Sequence, residues 1–236
     1  MDGLSSVIGV QFCIILLAGF VHASLQLELG ALLLLYHASL GKHIKKKTKR
    51  LVSNYILGSI LLVCLMVSTI VFLIVSLAES SLSTAVLIAL VSILFVLSIL
   101  IWFFYYKTGR STQLWLPKSV ARYINNRAKL TESNIEAFSL GMLTTFAELP
   151  FSLVLMVVTA NSVVLLPFEF QFIGVLVYSL LSILPLVILR LSVRRGNTVV
   201  DIQKWRVKNI NFFRFLSGIL FLTLAIFIIA FKIMVA

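Results

Sequence analysis

The sequence predicts an all-α integral membrane protein: six transmembrane helices arranged as two inverted three-helix repeats, with the first and fourth helices interrupted. Three observations carry this expectation. The chain has 236 residues, 61% of them hydrophobic, and a mean hydropathy of +1.11, whereas a soluble domain is about 45–50% apolar. Several apolar runs exceed the roughly 18 residues that mark a spanning helix. The basic residues gather in alternate links between those runs, which is the distribution that the positive-inside rule produces. Neither a soluble fold nor a soluble enzyme is expected.

The segments follow in order. Val7–Leu35 is long and interrupted by polar residues. Leu51–Ala78 and Thr84–Tyr106 complete a first repeat, 1–106. A basic linker, 107–133, follows, and within it Lys118–Lys129 reads as an interfacial helix with Pro117 at its start. Trp102, Tyr105, Tyr106 and Trp115 stand beside this linker, where an aromatic belt belongs. The second repeat, 134–236, holds Ile135–Thr159, Phe170–Leu191 and Phe212–Val235. Ser133 precedes Glu136 by three residues, a capping-box pattern at the start of the fourth segment. Gly58 and Pro185 are expected close-packing or kink points.

The formal charge of +12 raises nucleic acid as a partner, but its distribution argues for a membrane. Nineteen of the 20 Lys and Arg lie in 42–50, 107–129 and 190–214. The links 79–83 and 160–169 carry Glu79 and Glu169 and no basic residue. The three basic links are therefore expected in the cytoplasm and both termini outside it. The compact six-span plan suits a bacterial inner membrane. The expected partners are the lipid bilayer, anionic headgroups at the basic links, a small solute or ion, and a second copy or another membrane protein. No nucleic acid is expected. Cys13 and Cys64 sit in apolar runs without a CxxC or metal-ligand spacing and read as small core residues. His37 and His43 flank a basic cluster and read as interfacial. There is no HxxxH pair, so neither a metal nor a cofactor is expected. The N-terminus lacks a basic region and a small-residue cleavage pattern, so no cleavable signal peptide is expected.

The two halves align at a shift of 126 residues. Phe12, Leu17, Phe20, Leu27 and Leu29 then fall on Phe138, Leu143, Phe146, Leu153 and Leu155. His22 falls on Glu148, Ser24 on Pro150 and Gln26 on Ser152. Each half thus carries a titratable group, then a helix-disturbing or hydroxyl residue, then a polar residue. An odd number of spans per half inverts the second half relative to the first, a recurring transporter plan.

Glu148 is the leading candidate. A carboxylate inside a spanning run costs roughly 2.5–3.5 kcal/mol on insertion scales, so it marks a functional site by default. The competing reading is a protonated acid that ties two helices together. His22 changes charge in the physiological range when unperturbed and is expected to pair with Glu148. In an unbroken helix Gln26 shares a face with His22 and Glu28 does not. A break near Ser24, matched by one at Pro150, would let His22, Gln26 and Glu28 line one cavity. Thr144 and Thr145 lie one turn before Glu148. Thr145, Ser152 and Gln26 are expected to offer hydrogen bonds to a substrate.

The segment SLGMLTTFAELPFSLVL at Ser139–Leu155 resembles a stretch of one known superfamily. So do the three-plus-three plan and the basic link after the first span. That superfamily joins lysine-exporter (LysE-type) carriers to the CcdA/DsbD-type transmembrane domains of cytochrome c biogenesis. The resemblance implies the inverted-repeat fold and a site where the first and fourth helices meet. In the redox branch this segment reads as a glycine, small residues and then Pro-Cys. Gly141 and Pro150 match that pattern, and Phe151 stands at the cysteine. The counterpart position near Leu25 also lacks a cysteine. A thiol relay is therefore not expected, and no catalytic residue is assigned. The expected function is a small inner-membrane transporter or exporter, coupled to protons or ions through His22 and Glu148. The alternative is a non-transporting membrane subunit, built on the same fold, of a larger complex.

Overall fold

A computed structural model describes residues 2–25, 27–40, 45–78, 81–105, 118–194 and 198–233. Every regular element among them is a helix. In chain order these are α1 (Asp2–Ser24), α2 (Leu27–Leu40), α3 (Lys45–Ala78), α4 (Thr84–Leu100), α5 (Lys118–Leu130), α6 (Asn134–Val164), α7 (Phe168–Ser182), α8 (Leu184–Arg194), α9 (Val199–Lys208) and α10 (Ile210–Ile228). Wider π-type turns extend α4 over Ile101–Tyr105 and α10 over Ile229–Ile233.

Among the described residues five stretches are long and apolar enough to cross a bilayer: Val7–Ser24, Lys46–Leu77, Thr84–Phe103, Asn134–Val164 and Ile210–Ile233. A sixth is formed by α7 and α8 together, bent by 48°. The fold is thus all-helical with five to six membrane-compatible spans. Large apolar side chains such as Leu57, Phe72, Val96, Phe103, Phe172 and Leu180 are exposed on the outer surface of the bundle. In water such a surface would be an aggregation hazard. In a bilayer it faces hydrocarbon.

The core has two storeys. One packs α1 against the C-terminal halves of α3 and α6 and against α4, α7 and α10, with Ile15, Val67, Leu94, Leu155, Val163, Phe221 and Leu224 at its centre. The other lies at the end that carries the basic links. It gathers α2, α5 and α8 around the N-terminal halves of α3 and α6, with Leu32, Tyr55, Ile124, Ala137 and Leu186 buried. Helix α5 forms where a helix was expected and is amphipathic. Ile124 and Ala128 face this core, Ala121 is buried beside them, and Arg122, Tyr123, Arg127 and Lys129 are exposed. The capping box is formed. Ser133 Oγ accepts from Glu136 N at 3.2 Å, and Glu136 Oε2 accepts from Ser133 N at 3.2 Å.

Helices α3 and α6 make the most extensive helix–helix contact, and glycine is the reason. A Cβ at Gly58 would collide with the Phe138 carbonyl, and one at Gly141 with the Tyr55 carbonyl. The absence of both side chains lets the backbones touch, the small-residue packing common between membrane helices. Ser59 Oγ donates to Gly141 O at 3.3 Å, and a Tyr55–Thr144 hydroxyl pair lies 2.7 Å apart across the same crossing.

The interruptions differ from expectation at one of two places. The first segment does break: α1 ends at Ser24 and α2 starts at Leu27. The fourth does not, because α6 runs unbroken through Pro150. A proline inside a helix removes one hydrogen bond, and the turns on both sides of Pro150, clamped against α3, hold it helical. The second break falls in the fifth segment, between Ser182 and Leu184. Pro185 sits in the first turn of α8, where a missing N–H costs nothing. The Leu181 carbonyl, which cannot receive a bond from Pro185, accepts instead from Ile183 N. Ser182 Oγ meanwhile takes up Ser179 O at 2.9 Å. The first break is sewn in a similar way. Ser24 Oγ donates to Val21 O at 2.6 Å, Leu25 N to His22 O at 3.0 Å, and Ser217 Oγ of α10 to Ser24 O at 3.3 Å. Irregular backbone at membrane depth is tolerated where such bonds replace the lost ones.

Cys13 also departs from its reading. It is exposed on the flank of α1 rather than in the core, whereas Cys64 is partly buried against the core. His37 is exposed on α2. Tyr106, Trp115, His43 and Glu79 lie outside the described residues.

Candidate functional site

The two breaks and α6 converge on one buried polar cluster, whose Tyr178 is also part of the first storey's core. His22 occupies the last turn of α1. Tyr178 lies on α7 four residues before that helix ends, and Glu148 lies on α6 two residues before Pro150. Their exposures are 3%, 0% and 2%. His22 Nδ1 and Tyr178 Oη are 2.9 Å apart, a hydrogen bond whose donor depends on the imidazole tautomer. The opposite ring nitrogen, His22 Nε2, lies 4.0 Å from Glu148 Oε2. That separation is too long for a hydrogen bond, and the two groups attract as an ion pair only when His22 is protonated and Glu148 ionised.

The arrangement thus offers a carboxyl, an imidazole and a phenol in a row. All three can carry a proton, each comes from a different helix, and water does not reach them. Chemically the row can hold one exchangeable proton at several positions, or one cation between the carboxylate and the ring. Each outcome alters how α1, α6 and α7 attract one another.

The other expected site residues are placed unequally. Thr145 and Ser152 are fully buried on α6 near Glu148. Their hydroxyl protons go to their own helix: Thr145 Oγ1 donates to Gly141 O at 3.0 Å and Ser152 Oγ to Glu148 O at 3.2 Å. Thr144 is committed to the α3 crossing through Tyr55. Ser24 caps the end of α1. Gln26 lies outside the described residues. Glu28 is in the first turn of α2, and its side chain lies outside the described set. Among the described residues no three His, Cys, Asp or Glu side chains assemble as metal donors.

Tyr178 was not singled out in the sequence. The signal was modest: a phenol in the middle of an apolar run, followed by Ser179, Ser182 and Pro185. Ser179 donates to Val175 O at 2.8 Å, so this serine series serves the backbone around the break.

A cavity of about 780 Å³ opens beside the cluster. Ala23 and Ser24, the residues directly after His22, line it, as do Pro185 and Ser192 of α8 and Trp205 and Arg206 of α9. His22, Tyr178 and Glu148 are not on its wall. The cluster is therefore one residue behind a cavity that both helix breaks help to form. No protein-family model, curated protein or solved structure matches the chain.

Proposed function

We propose that the protein is a small secondary transporter or exporter of a solute or ion, coupled through Glu148, His22 and Tyr178. One observation carries this reading. Three proton-carrying side chains from three helices lie in a row, buried, beside two broken helices. Intramembrane ionisable groups are costly and mark ion and proton paths, and broken helices are the usual frame for such sites. The resemblance to the LysE and CcdA/DsbD superfamily points the same way, as does the alignment of the two halves. The basic links are assigned to the cytoplasm and both termini to the opposite side of a bacterial inner membrane. Anionic headgroups would gather at those links. Lys46, Lys47 and Arg50, with Glu132, Ser133 and Asn134, line a second cavity of about 430 Å³ there.

The test uses purified protein in proteoliposomes that contain a pH-sensitive dye. A panel of small cationic, zwitterionic and anionic solutes is applied with and without a pH gradient. At least one solute moves with protons in the wild type, and Glu148→Gln abolishes the pH dependence. Normal transport by Glu148→Gln over the full pH range sinks the reading.

A second reading, a non-transporting membrane subunit, is favoured by one feature. Ser152, fully buried one turn after Glu148, donates its hydroxyl proton to a carbonyl of its own helix, as structural serines do. A stoichiometric partner after gentle detergent extraction, with no solute altering thermal stability, would favour this reading over transport.

A further inference from the structure

The 780 Å³ cavity is within the roughly 300–1,000 Å³ range of small-molecule sites, and its chemistry is two-sided. Along one flank run Phe20 of α1 and Leu216 and Leu220 of α10, which are apolar. Phe20, Leu216 and Trp205 are also exposed, so the cavity opens sideways through the outer surface of the bundle, where acyl chains would lie. At the end that carries the basic links stands Arg206. It is 4% exposed, although its neighbours Trp205 and Val207 on α9 are well exposed. Helix α9 thus turns one guanidinium inward, toward Gly30 of α2: a Cβ there would lie 3.7 Å from Arg206 Nη1, an ordinary contact. The other charge on the wall, Asp201, is the N-terminal cap partner of α9, where its carboxylate accepts from Thr198 Oγ1.

From this we infer that the cavity binds one anionic phospholipid from the surrounding bilayer. Its phosphate sits on Arg206, and an acyl chain runs along Phe20, Leu216 and Leu220. A guanidinium has five N–H donors in a planar fork, so an internal partner and a phosphate can share it. The exposed indole of Trp205 stands at the mouth, at the level where amphipathic rings meet headgroups. The general attraction of the basic links for anionic lipid is diffuse and salt-screened. This site differs in being single, buried and dependent on one arginine. Because the lipid would lean on Ser24 and Pro185 at the two breaks, it would also brace the frame of the His22–Glu148 cluster. Lipid binding does not depend on the transport reading, so each can fail alone.

The test is native mass spectrometry and thermal unfolding of the full chain in detergent. The probes are phosphatidylglycerol, phosphatidylcholine with the same acyl chains, and inorganic phosphate. Wild type is expected to retain one phosphatidylglycerol, with a preference over phosphatidylcholine of about tenfold, and to unfold at a higher temperature with it. Arg206→Gln should lose that preference. Leu220→Trp, which keeps the arginine and fills the apolar flank, should lose the bound lipid and covers the case in which Arg206→Gln does not fold. Lys204→Gln with Lys208→Gln, two exposed positions on the same helix, should leave the tight lipid in place. Equal retention of both phospholipids by wild type overturns the proposal. So does loss of binding in the Lys204/Lys208 variant, unchanged binding in Leu220→Trp, or full stabilisation by inorganic phosphate.

Discussion

His22, Glu148 and Tyr178 show what single residues can and cannot reveal before a structure exists. Two of them were legible, because a titratable group in an apolar run is expensive and stands out against its neighbours. Tyr178 was not, because a tyrosine is unremarkable in such a run. Its partner lies 156 residues away in the chain. The geometry makes a direct prediction. Tyr178→Phe removes the hydroxyl facing His22 Nδ1 and should cost about 1–3 kcal/mol, read as a lower unfolding temperature in detergent. Combined with His22→Leu, the two losses should fall short of their sum, because both delete one contact. Full additivity would show that the hydrogen bond contributes nothing. Thr145 and Ser152, polar residues beside Glu148, each donate a hydrogen bond to a carbonyl of their own helix, because a buried hydroxyl on a helix has one within reach.

At the scale of helices, local signals gave the existence of most elements and misplaced one break. The capping box at Ser133 and the start of α5 after Pro117 depend on near neighbours in the chain, so they could be read directly. Proline is a weaker guide. Pro150 lies inside a continuous helix, and Pro185 opens a new one. What separates them is whether packing and replacement bonds favour a bend, which no local rule contains. Pro150→Ala should therefore restore a donor to Phe146 O and leave helix content unchanged. Its stability should be equal to wild type or higher by up to about 3 kcal/mol. A loss of helical circular dichroism would contradict the continuity of α6. Gly58→Ala and Gly141→Ala should do the opposite. Each forces α3 and α6 apart by meeting a backbone carbonyl, at a cost of about 1–3 kcal/mol or more. Detergent melts of the two variants at wild-type temperature would rule out the close crossing.

At the scale of the whole molecule the charge pattern makes the topological prediction. In a variant lacking Cys13 and Cys64, single cysteines at the exposed positions 169 and 204 should differ. A membrane-impermeant maleimide on intact cells should label the first and not the second; the reverse pattern would invert the orientation. The sequence by itself marked the stretches that are long and apolar enough to cross a bilayer. Hydropathy is a sum over residues, and segment length against bilayer thickness needs no tertiary information. It also marked His22 and Glu148, because the cost of a polar group in hydrocarbon is local. Only the tertiary structure decided that these two meet, that Tyr178 joins them, and that the second break lies in the fifth segment. It also decided that Arg206 turns into a cavity rather than out to solvent. These depend on which helices lie side by side, and long-range packing is set by the shapes of whole surfaces rather than by any window of the chain.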